Sequence, residues 1–204
     1  MDPTYERPIR SRYVDPYELI WLATAERLGL FVRRDPDVYS MTDGQGLLAL
    51  APRSDLDPDD ALPQQVLHEI CHWVVSGVDS YHERDWGYEL DVPLDDPREF
   101  ACLRLQFWWS RLHGLGDLMA PTGLYRPYWE RLVRPDQPLD DSEVEAQAMV
   151  LFKAAFDRAQ GAPWAEPVSR ALMATARIRE VVGSFLPDYA TEVEGDTLPS
   201  LWGV

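Results

Sequence analysis

Two histidines stand four residues apart, with a glutamate directly after the first, in Leu67-His68-Glu69-Ile70-Cys71-His72-Trp73. This is the HExxH pattern. On an α-helix a spacing of four turns the chain by about 400° and raises it roughly 6 Å, so His68 and His72 share a face and can grip one divalent metal ion, iron or zinc. Glu69 then sits beside the metal, not on it. In metal-assisted hydrolysis such a glutamate is the general base toward a metal-bound water, whose pKa the cation lowers from about 15.7 to about 7.

Two histidines do not complete a site. Zinc and iron sites of this type take a third protein ligand and leave positions open for water or substrate. The downstream candidates are His82, Glu83, Asp85, Glu89, Asp91, Asp95, Asp96 and Glu99. Glu99 is the expected ligand. It lies in the first turn of a helical run opened by Pro97 and continuing to Leu112, and a crossing helix is the usual way for a two-histidine helix to acquire a carboxylate. A plain charge at the helix N-terminus is its alternative role. His82 is the second choice. Tyr88 is a candidate catalytic hydrogen-bond donor, and Arg84 is placed to meet an anionic substrate group. Trp73, Trp86, Trp108 and Trp109 either wall a substrate pocket or pack the core.

The elements that must position these residues follow from caps and periodicity. Asp15-Pro16-Tyr17-Glu18 opens a helix over 16–29 with Leu19, Leu22, Ala23 and Leu30 as its apolar stripe. Val38 to Met41 and Leu47 to Leu50, separated by Asp43-Gly44, read as a hairpin beside the metal helix, with Arg33 and Arg34 leading into it. Asp59 or Asp60 is expected to cap the metal helix, which runs from about Leu62 to Val75 and ends at Gly77. Val66, Ile70 and Val74 form one apolar row and Leu67, Cys71 and Val75 another, so this helix should be buried nearly all round. A buried helix carrying two imidazoles and a carboxylate must pair or coordinate them. Further on, Ser142 to Glu145 reads as a capping box opening a helix to Ala159, and Pro167 opens another with Val168, Leu172, Ile178, Val182 and Phe185 in its stripe. Tyr128 to Leu132 reads as a short helix.

Composition bounds the rest. The 204 residues carry 46% hydrophobic side chains and eight Trp, enough for a substantial core. A net charge of −16 argues against nonspecific binding to nucleic acid or an anionic membrane, since both require a basic face. Cys71 and Cys102 are too few for a disulfide scaffold, and neither a signal core nor a long apolar run is present, so a soluble cytoplasmic protein is expected. The fold expectation is α+β: a mostly helical single domain over 1–204, with a small sheet or hairpin beside a zincin-like HExxH helix. Within it, 15–115 form the metal-binding core, 116–187 helical support and 188–204 an acidic tail. Oligomeric state is not readable.

The run from His68 to Gly77, followed by Arg84-Asp85-Trp86-Gly87-Tyr88, resembles the elongation factor P hydroxylase family. That family shows HExxHW, a helix end of small residues and glycine, then a basic residue and an aspartate-aromatic-Gly-Tyr step. The similarity covers roughly residues 17 to 110. It implies hydroxylation of a modified lysine on the translation factor, with a redox metal at His68, His72 and a carboxylate. After Tyr88 the chain departs, reading Glu89-Leu90-Asp91-Val92-Pro93 where the family carries a Pro-Asp-Gly-Arg step, and the substrate stays open between elongation factor P and a related protein. The spacing from His72 to Glu99 also resembles HExxH-plus-Glu metallopeptidases. In that reading Glu69 is the general base, and the segment 47–50 aligns an extended peptide by strand addition.

Overall fold

The computed structural model describes residues 13–57, 60–88, 95–183 and 185. Within them lie six α-helices, α1 (Pro16–Arg27), α2 (Leu62–Ser76), α3 (Pro97–Leu112), α4 (Arg126–Arg131), α5 (Glu143–Ala159) and α6 (Ala165–Gly183), and three strands, β1 (Phe31–Arg34), β2 (Ser40–Thr42) and β3 (Leu47–Leu50). The expected acidic tail falls outside the described residues, as do Glu89 and Asp91.

The α2 helix occupies the middle of the fold, against α1, α3 and α5. All six residues of its two predicted apolar rows are buried, as such a position requires. At its C-terminal end Gly77 donates its N–H to Trp73 O, and Arg158 of α5 reaches over to donate to the carbonyls of Val74 and Val75 at 2.8 and 2.7 Å. These bonds satisfy carbonyls that the last helical turn leaves open. The N-terminal end differs from expectation: Ala61 stands at the cap and makes no side-chain bond. Asp60 is engaged elsewhere, accepting from Thr122 Oγ1, Tyr39 Oη and the Asp57 N–H. Asp59 lies outside the described residues.

The hairpin forms as β2 against β3, antiparallel, with Ser40 opposite Leu50. Gly44 in its turn has φ +70°, and a Cβ there would come within 2.7 Å of the His82 carbonyl oxygen. Only glycine accepts both the conformation and the approach. The residues Arg33 and Arg34 do not merely lead into this hairpin: with Phe31 and Val32 they form β1, parallel to β3, so the order is β1-β3-β2. The Arg34 guanidinium is absorbed by the Ala51 carbonyl and the Gln65 amide oxygen.

Two other expectations are corrected by tertiary contacts. In α1 the buried face is Tyr17, Trp21, Thr24 and Ala25, whereas Leu19 is 58% exposed. The Trp21 indole N–H donates to Thr175 Oγ1 of α6 at 3.0 Å, and seating that large ring sets the rotation of the helix. Ser142 caps α5 through the Glu145 N–H, but the Glu145 carboxylate does not return the bond. It accepts from Arg104 of α3, Tyr128 and the Leu139 N–H, in a fully buried cluster. Removing one partner of such a pair generally costs about 3–5 kcal/mol, so this contact firmly ties α3 to α5. Of the predicted α6 stripe, Val168 and Leu172 are buried and Phe185 is exposed. One hydrophobic cluster joins the α2 and α3 core to Phe152, Ala155, Val168 and Leu172, so the C-terminal helices complete the core around α2 and α3. No helix among the described residues is long and apolar enough to cross a membrane.

Candidate metal centre

The α2 and α3 helices cross so that His68, His72, Glu99 and Cys102 converge, each offering one ligand atom, all within 4.8 Å of one another. The two histidines come from one face of α2. Glu99 and Cys102 come from the first turns of α3, where Asp96 caps by accepting the Arg98 N–H at 2.8 Å and Pro97 occupies the first helical position. His68 Nε2 and His72 Nε2 are 2.9 Å apart, and they lie 3.3 and 3.4 Å from the two carboxylate oxygens of Glu99. Donors bound at 2.0–2.1 Å to a tetrahedral ion are separated by about 3.3 Å, so this spacing suits a small divalent cation. Glu99 Oε1 is buried and has no hydrogen-bond donor, which also fits a ligand oxygen. The cluster can therefore hold a metal ion.

Electrostatics agree with the geometry. Burial tends to raise the Glu99 pKa, but the two imidazoles overcome it and hold the carboxyl below its usual range. Burial likewise opposes charge on His72, and its acidic neighbours, Cys102 first and Glu99 second, reverse that, raising its pKa to about 9. His68 is raised in the same way. Burial pushes the Cys102 thiol well up, against the opposing pull of the two imidazoles.

The rings have different surroundings. His68 Nδ1 faces Gln106 Oε1 at 2.9 Å, and Cys102 Sγ lies 3.8 Å from the same nitrogen and 3.5 Å from the His68 carbonyl. The ring of His72 packs edge-on to Tyr88, centroids 4.4 Å apart, and its Nδ1 is buried without a hydrogen-bond partner. The guanidinium of Arg98 covers the Tyr88 ring at 3.7 Å while donating to Gly87 O, Trp86 O and Ser76 Oγ.

Glu69 is buried beside the cluster and accepts from Ser40 Oγ on β2 and from the Trp86 indole N–H at 3.0 Å. The turn that delivers Trp86 is strained: Asp85 and Trp86 have φ of 50° and 57°, a left-handed conformation unfavourable for residues with a Cβ. It is held because the Asp85 carboxylate accepts the Thr42 N–H at 2.9 Å and the Trp86 ring stacks on Trp73 at 5.4 Å.

Of the predicted site residues, the structure brings His68, His72 and Glu99 together, with Tyr88 against His72, while the Glu69 carboxylate is bound by Ser40 and Trp86. Trp73 and Trp86, expected to bind substrate, are packed into the core with 3% and 2% of their surfaces exposed, and offer substrate no face. Arg84 is exposed and donates to Asp85 instead. Among the alternative ligands, His82, Glu83 and Asp95 are exposed, and Asp85 and Asp96 are committed to backbone N–H groups. Gln106, Cys102, Ser40 and Arg98 were not identified from the sequence. Tyr125 was also missed: burial, with Glu99 next, raises its pKa to about 12. Gln106 and Cys102 lie seven and three residues after Glu99, so helical spacing alone puts them on its face. No protein-family model, curated protein or solved structure matches this chain.

Proposed function

We propose that this protein is a metal-dependent hydroxylase of the cytoplasm, with a zincin-like site, acting on a modified lysine of elongation factor P or of a related protein. The observation that carries the reading is the ligand set itself: two Nε2 atoms and one carboxylate at 2.9 to 3.4 Å, supplied by two crossing helices. The Trp73 to Gly77 and Trp86 to Tyr88 resemblance gives it direction. Iron held by such a set would supply oxygen activation. The chain's own groups do the rest. His68, His72 and Glu99 would hold the ion. Glu69, with donors on both oxygens, is kept as an acceptor carboxylate that can take or return a proton. The Tyr88 ring limits water access to His72.

The same ligands also suit a zinc metallopeptidase, and the HExxH-plus-Glu order favours that as the second reading. Its substrate-aligning strand is less well supported. The segment Leu47–Leu50 is the central strand, paired on both sides, so it has no free edge to offer a peptide. The edge strand β2 has its Thr42 N–H taken by Asp85.

Metal analysis of protein purified without oxygen, beside a His68→Ala control, separates the readings. Iron in the wild type, absent from the control, with oxygen-dependent turnover, is the expected result. Zinc with peptide cleavage that disappears in Glu69→Gln overturns the hydroxylase.

A further inference from the structure

We infer that Gln106 selects the nitrogen through which His68 binds metal, using the Met119 backbone carbonyl as its reference point. The inference rests on the reading of the cluster as a metal site. A neutral imidazole has two nitrogens, and either can carry the proton; the one without it is the ligand. Gln106 is fully buried one helical turn beyond Cys102. Its Nε2 donates to Met119 O at 2.7 Å, and Met119 is itself pinned by its N–H to Leu115 O. A carbonyl only accepts, so the NH₂ end of the amide must face Met119 and the oxygen must face His68. Reversing the amide would set two oxygens against each other. Because Gln106 Oε1 lies 2.9 Å from His68 Nδ1, that nitrogen must carry the proton, and the Nε2 lone pair is left aimed at His72 and Glu99. Cys102 does not compete for the role. Its thiol donates to the His68 carbonyl, and its sulfur is the more distant neighbour of Nδ1.

Gln106 is thus a positioning residue: it touches neither ion nor substrate and acts through His68. Outer partners of metal-bound histidines are generally worth about 10- to 100-fold in metal affinity. In Gln106→Met, an apolar side chain of similar length, zinc affinity measured by competition with a chromophoric chelator should fall by about that factor. Gln106→Glu retains an acceptor for Nδ1 but sets its second oxygen against the Met119 carbonyl, so it should recover only part of the loss. Long-range ¹⁵N–¹H spectra of the wild type should show a slowly exchanging Nδ1–H on His68 when zinc-loaded and, at a pH high enough to make the ring neutral, when metal-free, and Gln106→Met should make that proton exchange rapidly. A wild-type His68 with a bare Nδ1 overturns the inference even if the variants fail to fold. Unchanged zinc affinity and unchanged Nδ1–H exchange in Gln106→Met also overturn it. If the wild type takes up no zinc, the metal reading fails, and the metal-free spectrum, taken at a pH where His68 is neutral, still decides what Gln106 does to it.

Discussion

His68 and His72 leave the same face of α2 one turn apart, yet their rings are held by different forces. On the His68 side a hydrogen bond runs from Nδ1 to Gln106 and on to the Met119 carbonyl, which fixes both the ring plane and the identity of the free nitrogen. On the His72 side the ring meets Tyr88 edge-on, Arg98 closes over Tyr88, and Nδ1 has no partner. Packing restrains a plane but does not distinguish two nitrogens. The first imidazole is held by a directed hydrogen bond, and the second is held by shape.

The largest test removes each ring. His68→Ala and His72→Ala should each weaken zinc binding by roughly a thousandfold or more, since one of three protein ligands is lost from a site worth many kcal/mol. Full zinc stoichiometry in either variant, measured by elemental analysis, would break the shared-site picture. Next comes the packed wall. Tyr88→Leu should weaken zinc about tenfold by loosening His72, while Tyr88→Phe keeps the ring and should change affinity by less than about threefold. Equal loss in both would mean that the hydroxyl, bonded to the Arg98 carbonyl at 3.4 Å, matters more than the ring.

A smaller effect is the dependence on pH. In the metal-free protein the raised His72 pKa stabilises the fold below the unfolded value of about 6.5, and that contribution is lost as pH climbs through about 9. Zinc reverses the sign, because ligation needs neutral imidazoles, so affinity and zinc-linked stability rise across the same window. Melting temperatures taken with chelator and with zinc should diverge from pH 6.5 to 9; parallel curves would argue against ligation by His72. The smallest change is expected from Cys102→Ala. A neutral thiol turned to the His68 carbonyl contributes little, so zinc affinity should move by less than about threefold. A loss comparable to that of His68→Ala would make Cys102 a ligand.

Much of the site was legible because helices announce themselves locally. The Asp96-Pro97 step marked the start of α3 and so put Glu99 in a first turn, while Gly77 marked the end of α2. The double apolar row of α2 implied burial on every side, and it is buried. The strand β1 was not legible, since Arg33 and Arg34 look like a polar lead-in until β3 pairs with them. The face of α1 was read only in part: Leu30 is buried and Leu22 packs on the core, but Leu19 was weighted over Trp21, whose indole bonds Thr175, 154 residues away. Glu145 reads as a cap from its spacing to Ser142, and only the arrival of Arg104 diverts it.

By itself, then, the sequence determined the donor chemistry: two imidazoles one turn apart, a neighbouring carboxylate, and a downstream helix carrying another. Those are properties of residue type and helical repeat, which need no partner. Tertiary structure alone decided that Glu99 meets both imidazoles, that Glu69 is held by Ser40 and Trp86, and that Trp73 and Trp86 belong to the core. It also gave His68 a hydrogen-bonded neighbour and His72 an aromatic one. Such choices depend on how helices rotate and cross, and the crossing is set by buried contacts between residues far apart in the chain.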